Sequence, residues 1–108
     1  MGTSLGRTIV APAVKKAEKK TPWLKRPSQY QVYLLNDDYT PMEFVVIVLE
    51  LFFGLGFSRA VKVMLEVHHH GKGVCGIYTR DIAETKVAQV NEFARLNDHP
   101  LLCRMEKV

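Results

Sequence analysis

From Tyr30 onward the apolar positions fall into six blocks that switch between the short repeat of a strand and the longer repeat of a helix. "YQVYLLN", residues 30–36, is rich in aromatic and β-branched side chains and alternates at its start, which predicts a strand. Thr40, Pro41 and Glu43 then signal a helix start in three ways: a Thr N-cap, Pro at the first helical position, and Glu at the third, completing a capping box. In the helix that follows, Met42, Val45, Val46, Leu49, Phe52 and Phe53 share one broad apolar face and are core candidates, until Gly54 and Gly56 stop it. Ser58 predicts the next cap, and Ala60, Val61, Met64, Leu65 and His68 recur at helical intervals before Gly71 supplies a left-handed stop.

"GVCGIYT", residues 73–79, reads as a second strand, with Thr79 capping a third helix buried through Ala83, Val87, Val90 and Ala94. Asn97 to Pro100 end that helix, and "LLCRMEKV" closes the chain as a third strand. The order β-α-α-β-α-β predicts an α+β class: a small three-stranded antiparallel sheet with three helices packed on one face. Ile47 and Leu51 do not fit, because they carry apolar character onto the helix face opposite the core, four residues apart and adjacent in space.

Composition adds little until the charge is divided. The 108 residues are 47% hydrophobic and 24% charged with a net charge of +4, ordinary values for one globular domain. Residues 1–27 carry seven basic side chains against Glu18, a net of +6, while the rest carries eight basic and ten acidic side chains. That first segment is interrupted by glycines and prolines and holds few large side chains, so it cannot offset its ordering entropy. Two segments follow: a disordered basic N-terminal arm over 1–27 and a folded core over 28–108. A basic arm suits nucleic acid or an acidic protein surface, and the folded part has no nucleic-acid signature, so no nucleic-acid partner is expected.

Several function classes drop out. The nearly apolar run Phe44 to Phe57 is interrupted and too short to span a bilayer, and Pro12 and the following lysines break any signal-peptide pattern. No membrane partner and a cytoplasmic location are expected. Cys75 and Cys103 lack metal-type spacing and read as core residues. No P-loop, dinucleotide fingerprint or nucleophile elbow occurs, so the chain reads as a non-enzyme without a cofactor.

Two clusters remain. Asn36, Asp37 and Asp38 lie between a strand end and a helix N-terminus, where they serve as turn residues favoured by the helix dipole, as a fixed anionic site for a cation, or as both. His68, His69 and His70 are consecutive, so on a helix they point about 100° apart and do not converge on a metal. His68, four residues after Met64 on the apolar face, reads as a hydrogen-bonded core or rim residue.

Four ordered segments, "LLNDDYTPMEFVV", "AVKVMLEVHHHGKGVCGIYT", "DIAETKVAQVNEFAR" and "NDHPLLCRMEKV", resemble the ClpS family over residues 28–108. The resemblance implies an adaptor that binds the free amino terminus of chains beginning with Leu, Phe, Tyr or Trp. It then delivers them to the AAA+ unfoldase ClpA for degradation by ClpP. By the same resemblance Asn36, Asp37 and His68 hold the α-ammonium, while Met42, Val45, Met64, Val67 and Leu101 shape a side-chain pocket with Thr40 at its rim. Met42 would be a gatekeeper against β-branched residues. Asp81 and Lys86 would contact the unfoldase's N-terminal domain, the arm would be engaged during transfer, and the protein would act as a monomer. Position 81 is Asp where the family often has Glu.

The chain also departs from that pattern. Ile47, Leu51 and Phe57 stand where family members are more polar, which leaves core extension, a self-contact or an altered partner surface open. His69 and His70 replace a tyrosine-containing pattern. The alternative function is a regulatory module of the same fold that modulates the unfoldase without carrying degrons. A metal-dependent hydrolase using Asp37, Asp38 and the histidines is a more distant alternative.

Overall fold

The computed structural model describes residues 27–108, so the expected arm lies, Pro27 apart, outside the described residues. The elements are β1 (Gln29–Leu35), α1 (Met42–Phe53), α2 (Phe57–His70), β2 (Lys72–Thr79), α3 (Arg80–Leu96) and β3 (Leu102–Lys107). The expected β-α-α-β-α-β order holds. β1 is the central strand, antiparallel to β2 on one side and β3 on the other. Val32 and Leu34 project from β1 into the core and are fully buried, as strand alternation requires when one face is covered by helices.

The β1–β2 register breaks between Val32 and Tyr33: Val32 faces Gly76 and Tyr33 faces Val74, leaving Cys75 as the extra residue of a bulge. Cys75 and Cys103 are buried, free thiols, and burial pushes Cys103 up to about 12. The outer edge of β3 is covered by a side chain. Asn91 on α3 accepts from the Cys103 amide at 2.8 Å and donates to the Cys103 carbonyl at 3.0 Å, taking the place of a neighbouring strand.

α1 packs on both other helices, and this widens its buried surface beyond the expected stripe. Phe44 stacks on Phe93 of α3 with ring centroids 5.3 Å apart, and Phe52 meets the same ring edge-on. Phe44 and Val48 are therefore core residues that the periodicity omitted, whereas Met42, expected in the core, is 44% exposed in the first turn. Ile47 and Leu51 are 44% and 64% exposed and Phe57 is 67% exposed, which overturns core extension for all three.

Two caps also differ from expectation. Pro41, not Thr40, occupies the N-cap of α1, with ψ at 143° and no side-chain cap bond, so the capping box does not form. The Thr40 hydroxyl donates instead to the Asp37 carboxylate at 2.8 Å, a charged acceptor that outcompetes the helix end. α2 begins at Phe57 with Gly56 as its cap, which places Ser58 inside the first turn. Thr79 does sit at the cap position of α3, without a side-chain bond.

Two glycines at the α2–β2 junction are needed for different reasons. Gly71 has φ 84°, in the left-handed region, but a Cβ there would meet nothing within 4 Å. Gly73 has ordinary φ, but its Cβ would lie 2.6 Å from a Val67 methyl and 3.0 Å from the Val63 carbonyl. Gly71→Ala is expected to cost about 1–2 kcal/mol through backbone strain alone, with Gly71→Asn recovering part of it. Gly73→Ala is expected to cost about 1–3 kcal/mol through overpacking, and Gly73→Asn more. Urea denaturation of the four variants checks this; equal effects of Ala and Asn at position 71 would show that φ is not the cause.

Candidate functional site

The polar stretch after β1 is folded around one carboxylate. Asp37 Oδ1 accepts from the amides of Tyr39 and Thr40, both at 2.8 Å, and Oδ2 accepts from the Thr40 hydroxyl. Three of roughly four acceptor sites on the carboxylate are thus filled by its own turn, leaving one open. Burial pushes the Asp37 carboxyl up, but donation from the Thr40 amide, the Tyr39 amide and the Thr40 hydroxyl, with the charge of His99, holds it below its ordinary value of 3.8. Asp37 is therefore ionised across the neutral range.

The preceding residue ties this turn to the far end of α2. The Asn36 amide donates to the Gly71 carbonyl at 3.0 Å, and the Gly71 amide donates to Val67 at 2.9 Å, closing α2. Strand end and helix end are brought side by side. Asn36, Asp37 and Asp38 consequently border the same cavity as His68, which is exposed in the last turn of α2.

The cavity has a volume of about 250 Å³ and two chemically distinct ends. Asn36, Asp37, Asp38, Thr40 and His68 form the polar end; Met42 and Val45 of α1 and Met64 and Val67 of α2 form the apolar end. Among the described residues no Lys or Arg lines it, and the negative end of the α2 dipole lies on the same side as the carboxylates. Such a cavity suits a small cation joined to an apolar group. Of the nine residues expected at the pocket, eight line it; Leu101 is 4% exposed in the core and is not on the lining. Asp38 lines it as well, a residue read from the sequence as part of the turn or of an anionic site and not among those the resemblance implied.

The family model described as ATP-dependent Clp protease adaptor protein ClpS matches residues 25–104. The chain belongs to the ClpS family. ATP-dependent Clp protease adapter proteins ClpS from Xanthomonas oryzae pv. oryzae (strain MAFF 311018) and Xanthomonas campestris pv. campestris (strain 8004) are 61% and 62% identical to it. Each match runs over 90 residues, 83% of this chain and 85% of the relative. Agrobacterium tumefaciens ClpS2, solved bound to L-phenylalaninamide, is similar with a TM-score of 0.75 and 40% identity, covering 77% of this chain and 100% of its own. ClpS proteins are adaptors of a protease rather than proteases, in keeping with the reading as a non-enzyme. Among the described residues no helix is long and apolar enough to cross a membrane, and no group of three or more metal-ligating side chains converges.

The two residues expected at a ClpS partner surface lie away from the cavity. Asp81 is exposed in the first turn of α3. Lys86, half-buried, donates from Nζ to the Phe52 carbonyl at 2.6 Å, capping the C-terminus of α1. The cavity borders the first turn of that 12-residue helix, which is about 18 Å long at 1.5 Å per residue, and Lys86 caps its last turn.

Asp37→Ala is expected to lower stability at pH 7 by about 1 kcal/mol, because the half-buried turn loses its acceptor while solvent screens part of the effect. The folded carboxyl titrates below the unfolded one, so its contribution is complete above the unfolded range and is lost as pH falls through the folded value. The gap between wild type and Asp37→Ala should accordingly narrow between pH 5 and pH 2.5, as read by urea denaturation; a constant gap would assign the loss to packing.

Proposed function

We propose that the chain binds the free amino terminus of proteins beginning with Leu, Phe, Tyr or Trp and delivers them to a ClpA-type unfoldase for degradation by ClpP. The observation that carries the reading is the cavity itself, with an ionised carboxylate at one end and two methionines and two valines at the other. L-phenylalaninamide, the ligand in the Agrobacterium relative, has the same two parts: an α-amino group and an apolar side chain, with an amide in place of the first peptide bond.

In this reading Asn36, Asp37 and His68 receive the α-ammonium, with the open acceptor site of Asp37 as a charge-assisted partner. Val45, Met64 and Val67 surround the side chain. Met42, at the mouth, excludes branching at Cβ while its flexible thioether accommodates rings and leucine alike. A module that only modulated the unfoldase would have no use for an open, two-ended cavity. The surface around Asp81, with Lys86 holding α3 against α1, serves the N-terminal domain of the unfoldase, far enough from the cavity for both ligands to bind one monomer together.

Fluorescence anisotropy with peptides identical except at the first residue tests the binding half. Phe and Leu peptides should bind at micromolar Kd or tighter, with Val and N-acetyl-Phe at least about tenfold weaker, a difference of about 1.4 kcal/mol. Binding should decline above about pH 8 as the peptide's α-amino group loses its proton. Equal binding of N-acetyl-Phe would overturn the reading.

Delivery is tested separately. Removing residues 1–25, or introducing Asp81→Lys, should leave peptide affinity unchanged and slow degradation of a Phe-initiated reporter by reconstituted ClpAP severalfold. A matching loss of peptide affinity in the truncated chain would place the arm in the pocket rather than in delivery.

A further inference from the structure

Exposed apolar side chains of α1 and α2 gather on the outer surface of the helix pair. A groove of about 440 Å³ is lined there by Ile47, Phe57 and Val61, and a second concavity of about 360 Å³ along α2 is lined by Leu65. Ile47, Phe57 and Leu65 are all exposed, and contiguous apolar surface of this kind marks a contact. The charges around it are divided by helix. α1 presents Glu43 and Glu50 and has no basic residue along its length; α2 presents Lys62 and His69, with Glu66 and His70 further round. The members of each pair are seven residues apart, two helical turns or about 10.5 Å, so they project from one side of their helix. Glu43, Glu50 and Lys62 enter no ion pair among the described residues. The short connection 54–56 returns α2 antiparallel to α1, so Glu43 and His69 lie toward the cavity end of the pair and Glu50 and Lys62 toward the connection.

We propose that this surface binds a second copy of the chain, in a two-fold pair with α1 of each copy over α2 of the other, and that the pair is a reserve form closed to cargo. A two-fold axis lying between the two faces and along the helices exchanges left and right, and so sets α1 against α2 of the second copy. Glu50 then faces Lys62 of the second copy, and Glu43 faces its His69, which offers an N–H donor in either charge state. Symmetry makes each contact twice, around a centre of Ile47, Phe57 and Leu65. A copy matches both helices, whereas a basic partner would meet Lys62 and an acidic one Glu43 and Glu50. Two helices of 12 and 14 residues offer a face of roughly 400 Å², about half of what each side of a stable complex buries, so the pair is weak and forms only at high concentration. Met42 and Met64 line both the groove and the cavity, so a copy seated on the groove covers the cavity mouth. The closure to cargo rests on the reading of the cavity as an amino-terminus site. Cargo and second copy then exclude one another, and by reciprocity a peptide that fills the cavity disperses the pair as strongly as pairing weakens the peptide.

Sedimentation velocity of the full chain from about 1 to about 300 μM tests the contact without cargo. Wild type should pass from monomer to dimer with a Kd of some tens of micromolar, as expected for so small a face. Phe57→Ser and Ile47→Gln, both exposed and so safe for the fold, should each weaken pairing about tenfold or more. Glu50→Lys and Lys62→Glu should each weaken it about fivefold, and the two together in one chain should restore most of it, because the charges are then exchanged on both sides. Such rescue separates a contact between copies from damage to either helix. A saturating peptide beginning Phe-Gly-Gly should return wild type to monomer, and its N-acetyl form should not. In anisotropy, Phe57→Ser should bind that peptide as dilute wild type does.

A wild type that stays monomeric at about 300 μM overturns the proposal, and if Phe57→Ser then slows degradation of a Phe-initiated reporter by ClpAP, the surface belongs to the unfoldase instead. Pairing that survives Phe57→Ser, or charge reversals that do not rescue one another, overturns this surface as the contact. Pairing unaffected by a peptide that binds overturns the reserve form while the amino-terminus reading stands. Failure of the monomeric Phe57→Ser chain to bind the peptide overturns that reading and the closure to cargo with it.

Discussion

A single backbone hydrogen bond, from the Asn36 amide to the Gly71 carbonyl, sets the geometry on which the site depends. It joins the end of the central strand to the end of α2, and it is available only because Gly71 turns the chain through the left-handed region. The same turn lets β2 start beside β1, where Gly73 allows the strand to approach Val63 and Val67 of α2. One junction therefore positions the polar residues Asn36 and His68 and backs the apolar residue Val67. Changes there act on sheet and cavity together.

The cavity divides its task between forces that are each too weak alone. Burying a leucine- or phenylalanine-sized side chain contributes roughly 1.5–3 kcal/mol, and a charge-assisted hydrogen bond a similar amount. Association at micromolar Kd requires about 8 kcal/mol beyond the cost of lost freedom. Neither end reaches that by itself, and on the proposed reading the ligand offers several charge-assisted hydrogen bonds together with a large apolar group. Preorganisation reduces the cost: Asp37 is already held by three donors, so it need not be ordered when a cation arrives.

The order of elements was legible because periodicity reports burial, and burial on one face is the rule in a sheet covered by helices. Where α1 is flanked by two helices that rule weakens, and Phe44 and Val48 were missed while Met42 was wrongly placed in the core. The cap of α1 was misread for a different reason. Thr40 has the composition of a cap, but Asp37, three residues earlier in the chain, captures its hydroxyl; no local rule ranks those acceptors without the turn's geometry. Eight cavity residues followed from family resemblance, which carries long-range proximity that spacing lacks. Leu101 shows the limit, since a buried residue and a lining residue have the same apolar identity. Asn91 gave no signal at all: an amide on a helix surface looks solvated until a strand edge is laid beside it.

Lys86 ties two helices together, and on the proposed reading it stands between cargo and partner. Its ammonium satisfies the Phe52 carbonyl at the end of α1 and lies near the rings of Phe53 and Tyr78, so it fastens α3 to the helix whose other end borders the cavity. The stacked Phe44 and Phe93 rings hold the same two helices together at a second point, so on the proposed reading α1 stands between the cargo cavity and the partner surface. Ile47, Leu51 and Phe57 are exposed and lie outside that arrangement, so they take no part in holding the helices together.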